Sequence, residues 1–307
     1  MEMLDRLLSS SVPFLSDGGL ETDLIFHERA DLPQFASFVL LDTSEGREML
    51  RRYLVSYLDM AEAAGRGFVL GTPTWRANGG WGPKLGLDDA GIRDVNRRAV
   101  AFIRDLRDTH PWRKNILLEG AVGPAGDGYA PAQLLAPAEA ARLHNAQLET
   151  FAEDGVDIAT AFTITHPGEA IGIATRAREL DLPFALSFTV ETDGRLPTGQ
   201  DLYSALDEVE TATDGYCRYY GINCAHPEHF VDRLPSGWLN RIGMVRPNAS
   251  RRSHAELDEA TELDDGDPHE FGALYAEMAQ RLPALRVIGG CCGSDIRHIK
   301  AVIAAGA

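Results

Sequence analysis

The chain has 307 residues, of which 44% are hydrophobic, and carries a formal net charge of −17. Such an apolar fraction supplies a large core and excludes a disordered chain, while the acidity excludes nucleic acid and anionic membrane as partners, since both need a basic footprint. No apolar run approaches the ~18–20 residues that cross a bilayer, and the N-terminus lacks a basic segment followed by an apolar one, so the chain reads as cytoplasmic.

Short apolar runs alternate with helical patterns from end to end. PFLSDGG (13–19) reads as a strand ending in a glycine turn, and 45–65, with apolar positions three and four apart, as a helix. GFVLGT (67–72) is the next strand, followed by a helix over 88–109 opened by Asp88 or Asp89. NILLEGAVG (115–123) precedes a helix over 136–155, with Pro137 in its first turn and Gly155 just past its end. VDIATAFT (156–163) leads into a helix over 167–180, PFALSFTV (183–190) into one near 200–213, and CRYYGINC (217–224) into a short helix from 227. RIGMVRPN (241–248) is followed by a helix over 268–281, and RVIGGCC (286–292) by a last helix over 294–304. Eight strand–helix units predict an α/β fold of the (β/α)8 TIM-barrel type, in one domain over residues 1–307. A doubly wound sheet is the rival, but no GxGxxG follows the first strand.

In such a barrel the chemistry sits at the C-terminal ends of the strands. Three of the four cysteines fall there: Cys224 after strand 6, and the adjacent pair Cys291 and Cys292 after strand 8. Strands 6 and 8 are separated by one strand, roughly 10 Å at the usual interstrand spacing, so their loops can converge. Adjacent cysteines make a poor disulfide with each other. Three thiolates suit Zn2+ in tetrahedral geometry with one position open, as catalytic zinc sites have. The alternative is reduced cysteines bordering a ligand pocket. Cys217 starts strand 6, seven residues earlier, and is expected at the far end of the barrel as a buried core thiol. His166, His226 and His229 follow strand ends and read as loop or cap residues.

GGCCG (289–293), GINC (221–224) and DGGLET (17–22) resemble the homocysteine S-methyltransferase family. GAVGPAGDGY (120–129), LSFTVETDGRLPTGQ (186–200) and RPN (246–248) are lesser matches in the same order, so the resemblance covers nearly the whole chain. It implies a zinc-dependent barrel that moves a methyl group from a small donor to a thiol, by default homocysteine, giving methionine. It assigns the zinc to Cys224, Cys291 and Cys292. A thiol is mostly protonated at neutral pH, and zinc makes the nucleophilic thiolate available. No part of the chain reads as a cobalamin or folate module, which points to a donor of the S-methylmethionine or S-adenosylmethionine type.

The resemblance also implies substrate contacts around Asp17 and Gly18, Thr74 and Trp75, Phe162 and Thr163, and Asn223. Asp17 matches a residue that holds the amino end of homocysteine. Trp75 offers an aromatic face to a methylated cation, or packs the rim. Asn248 reads as a loop brace. The departure is Phe162, at a position where the family carries a glutamate that grips the substrate ammonium. Two further readings therefore stand: the same machinery acting on a different thiol or selenol, and a zinc-holding barrel that binds a thiol without transfer. On this reading a glutamate at 162 restores preference for homocysteine over thiols without an amino group.

Overall fold

The computed structural model describes residues 3–234 and 236–307. Eight parallel strands close on themselves in sequence order, each paired with its neighbour and the last with the first. They are β1 (Phe14–Leu15), β2 (Phe68–Gly71), β3 (Ile116–Val122), β4 (Ile158–Ile164), β5 (Phe184–Phe188), β6 (Tyr220–Asn223), β7 (Ile242–Arg246) and β8 (Val287–Ile288). The expected (β/α)8 barrel is the observed one. Strands β1 and β8 are two residues each, much shorter than the apolar runs that announced them, because the glycines at 18–19 and 289–290 turn the chain out of the sheet.

The helices expected from periodicity are present, with ends set by capping side chains. Helices α1 (Met3–Ser9) and α2 (Leu20–Phe26) come first. Helix α3 (Ser44–Ala63) begins where Thr43 Oγ1 accepts the Gly46 N–H, and α4 (Asp89–Thr109) where Asp88 accepts that of Gly91. Helix α5 (Pro137–Asp154) ends on Gly155. His166 caps α6 (Pro167–Glu179), Asp201 caps α7 (Leu202–Ala212) and His226 caps α8 (Pro227–Phe230). Helices α9 (His254–Asp258), α10 (Pro268–Arg281) and α11 (Ile296–Ala304) complete the chain. Helices α1, α2 and α9 were not expected: each is seven residues or fewer, too short for a helical period to stand out.

Two apolar clusters follow from the strand alternation. The larger lies between barrel and helices and takes Leu70, Leu118, Leu186 and Ile222 from the strands. The smaller fills the barrel itself with Phe14, Val69, Leu117, Ile158, Tyr219 and Met244, and Leu4 and Leu7 of α1 join it. Gly120 shows how closely α5 approaches the sheet. A Cβ there would lie 2.6 Å from the Phe151 ring, which is completely buried. Gly120→Ala is therefore expected to destabilise the fold by about 1–3 kcal/mol through overpacking, read as a lower midpoint in a urea melt.

Candidate active site

The C-terminal ends of the strands open into a cavity of about 650 Å³, within the range that takes a small substrate. Cys224, Cys291 and Cys292 meet on its wall, with all three sulfurs within 4.8 Å of one another. Cys224 Sγ lies 2.9 Å from that of Cys291 and 3.6 Å from that of Cys292.

The segment after β7 holds the two cysteine loops together. Cys224 N–H donates to Arg246 O at 3.0 Å, and Cys291 N–H to Pro247 O at 2.8 Å. Ala249 N–H donates to Cys292 O, and Asn248 Nδ2 to Cys224 O at 3.1 Å, so Asn248 braces the loop. The backbone is forced at two places. Cys224 adopts φ 58°, rare for a residue with a side chain, and Gly293 turns the chain after the cysteine pair at φ 78°. Cys217 lies elsewhere, 1% exposed in the outer apolar cluster, where burial pushes its thiol up to about 12.

Tyr129 and His254 complete the surroundings of the sulfurs. Tyr129 Oη is 3.0 Å from Cys224 Sγ, and its ring stacks on His254 at 4.2 Å. His254 spans the Cys224 carbonyl through Nε2 and Glu191 Oε1 through Nδ1, both at hydrogen-bond distance. Burial works against a charge on this imidazole, but the Glu191 carboxylate and the Cys224 carbonyl outweigh it and raise its pKa.

Of the substrate contacts expected from sequence, Asp17, Gly18, Trp75, Phe162, Thr163 and Asn223 line the cavity. Thr74 does not, which corrects its expected role. It is fully buried, and its hydroxyl donates to Ala121 O at 2.8 Å, tying the β2 loop to β3. Asn223 spends its amide on Thr163: Oδ1 accepts the Thr163 N–H and Nδ2 donates to Oγ1, both at 2.8 Å. That clamp holds Thr163 at φ 59°, in the irregular stretch of β4 where its register with β5 shifts.

Asp17 is not free either. Arg246 Nη2 pairs with Asp17 Oδ1 at 2.5 Å and also reaches the Asp17 and Gly18 carbonyls, while Nε donates to Gly290 O. The guanidinium carbon lies 5.4 Å from the centre of the Phe162 ring. Sequence reasoning missed Arg246, Tyr129, Arg76 and Glu119 as cavity residues. The first two stand inside the matched motifs RPN and GAVGPAGDGY and were within reach of a position-by-position reading.

A model of the family described as homocysteine S-methyltransferase matches residues 14–305. The chain belongs to that family, and it is a methyltransferase by that membership. Methionine synthase of Mycobacterium tuberculosis (strain ATCC 25618 / H37Rv) is 27% identical over 236 residues, 70% of this chain; the match spans only 18% of that relative's length. The homocysteine methyltransferase MmuM from Escherichia coli has the same fold. Its oxidised form superposes with a TM-score of 0.77 at 23% identity, over 99% of both chains. Its metallated form gives 0.75 at 22% identity with the same coverage.

Glu119, 1% exposed at the cavity floor, accepts from Thr160 Oγ1 at 2.6 Å, and burial raises its pKa to about 7. A carboxyl whose pKa rises on folding stabilises the protein below its unfolded pKa and loses that contribution as pH climbs through the folded value. Glu119→Gln is thus expected to stabilise the protein by roughly 1–3 kcal/mol at pH 8 and hardly at all at pH 4, measured as the difference between urea melts at the two values.

Proposed function

We propose that this chain is a zinc-dependent S-methyltransferase that moves a methyl group from a small sulfonium donor of the S-methylmethionine or S-adenosylmethionine type to an acceptor thiol. Homocysteine is the default acceptor and methionine the product. The observation that carries the reading is the convergence of three sulfurs from two separate loops on one cavity wall. The donor set fits zinc. With Zn–S bonds of ~2.3 Å, a tetrahedral ion separates its sulfurs by roughly 3.8 Å, so the pairs at 2.9 and 3.6 Å need spread by less than 1 Å.

When bound, the ion supplies a Lewis acid that lowers the pKa of an acceptor thiol to yield the thiolate nucleophile. This chain's own residues prepare the place. Cys224, Cys291 and Cys292 would hold the ion on the cavity wall, within the space an acceptor thiol would enter. Phe162 and Trp75 give that cavity apolar walls, which strip water from both thiolate and sulfonium.

Metal analysis tests the ligand set. Purified wild type is expected to hold one zinc per chain, Cys291→Ser to lose most of it, and Cys217→Ser to keep a full equivalent. Full zinc in Cys291→Ser would sink the assignment.

The surroundings of Asp17 favour a second reading of the acceptor. A carboxylate meant for a substrate ammonium should be free of protein cations, yet Asp17 is already paired with Arg246. Phe162 adds a ring beside that pair rather than a second carboxylate. An acceptor thiol with no ammonium beside its sulfur matches these walls better than homocysteine does. The pairing also bears on what a substitution at 162 should do: with Arg246 already matched by Asp17, a glutamate there brings one uncompensated negative charge. Phe162→Glu is expected to raise the ratio of kcat/KM for homocysteine to that for 4-mercaptobutanoate by roughly 10- to 100-fold. An unchanged or lower ratio would show that position 162 does not face the amino end of the acceptor.

A further inference from the structure

The cavity holds a second arginine whose donors are not spent. Arg76 follows β2, lines the cavity and is 8% exposed. Its guanidinium carbon sits 4.0 Å from the Trp75 ring centre and 3.8 Å from that of Trp81. Both indoles are fixed from behind. Trp81 Nε1 donates to Pro124 O at 2.9 Å, and Trp75 Nε1 approaches Phe162 O at 3.5 Å. The loop carrying them is anchored in turn, because Gln147 Nε2 donates to Thr74 O, and Asn78 Nδ2 to Gly123 O.

A guanidinium offers five N–H donors. Among the described residues one partner is made, Nη1 to Gly126 O at 3.2 Å, while the buried Nε has none. The nearest acids are otherwise engaged. Asp127 Oδ1 accepts the N–H groups of Tyr129 and Ala130, and Glu21 accepts from Ser37. Both act on Arg76 only as charges at a distance. Burial pulls its pKa down to about 10, so it stays charged at neutral pH. A buried cation without an anion is costly, and two indole faces offset only part of that cost.

We propose that Arg76 is the anchor for a carboxylate carried by one of the two substrates, the methyl acceptor or the methyl donor. Between two rigid rings the guanidinium cannot swing away to find another partner. A single negative charge suits the place, since Glu21, Asp127 and the cysteine cluster would repel a dianion such as phosphate. Arg76 and the three sulfurs line one cavity, so a small molecule held by its carboxylate at Arg76 shares that cavity with the cysteines.

This inference rests on the S-methyltransferase reading, and binding separates the two. The probes are two pairs: homocysteine with 3-aminopropane-1-thiol, and S-methylmethionine with (3-aminopropyl)dimethylsulfonium. In each pair the second compound lacks only the carboxylate. Calorimetry on the metal-loaded protein is expected to show wild type preferring the carboxylate-bearing member of at least one pair by roughly 10- to 100-fold. Arg76→Gln should erase that preference while leaving the decarboxylated compound within about twofold, and Arg76→Lys should keep part of it. The pair that responds identifies the substrate. Equal weakening of both members, an unchanged preference in Arg76→Gln, or no preference in wild type overturns the proposal. Methyl transfer without carboxylate preference leaves the function standing and removes Arg76 from it; preference lost in Arg76→Gln without any methyl transfer does the reverse.

Discussion

The geometry of the site depends on one constraint, the bridging of two non-adjacent loops by the chain that leaves β7. Cys224 and the pair Cys291 and Cys292 come from strands that do not touch, and three sulfurs do not gather by themselves. Residues 246–249 hydrogen-bond to one loop and then the other, four times through the backbone. The Asn248 and Arg246 side chains add two more links, to Cys224 O and Gly290 O. A fixed backbone cradle of this kind is what a metal site requires, because ligands must be held close to final geometry before the ion arrives. The left-handed turn at Cys224 is the local cost of aiming its sulfur inward.

The same arginine sets the electrostatics next to the sulfurs. By closing on Asp17 and three carbonyls it removes from the cavity both its own charge and that of the carboxylate. What remains near the acceptor position is Phe162, Trp75 and the buried Glu119, whose raised pKa keeps much of it neutral. A dry surrounding of low charge favours methyl transfer from a sulfonium, since a thiolate and a cation annihilate each other's charge in the product. The sulfur cluster and the acceptor wall are thus built by different loops, and the wall can change while the cluster stays.

The barrel was legible because each β–α unit repeats the same two periods, and Cys224, Cys291 and Cys292 because thiols are rare and their positions relative to strand ends are fixed by the fold. Short α2 and α9 were not, since a helix of two turns owes its existence to tertiary packing rather than to a pattern. Substrate contacts were legible only as neighbourhoods. Thr74 and Trp75 are adjacent in sequence, yet one is tied to the β3 carbonyl and the other faces the cavity. No spacing rule separates them, because the loop follows no regular alternation. The Arg246–Asp17 pair joins residues 229 apart in sequence, and only the closed barrel brings β1 and β7 ends together.

Arg246 and Arg76 stand in one cavity and show how a guanidinium's partners distinguish support from recognition. Arg246 gives its donors to the protein itself: a carboxylate and carbonyls of two loops. Its position is thereby fixed and its charge cancelled, which suits a part of the framework. Arg76 is held by one hydrogen bond to Gly126 O and otherwise by flat apolar faces that restrict its motion without consuming its remaining donors. Holding a charged group in place while leaving most of its donors unmade costs stability. That cost returns as binding free energy only when a ligand of opposite charge arrives, because the ordering and much of the desolvation of the receptor group have been completed on folding. A surface arginine, hydrated and mobile, would gain far less from the same contact.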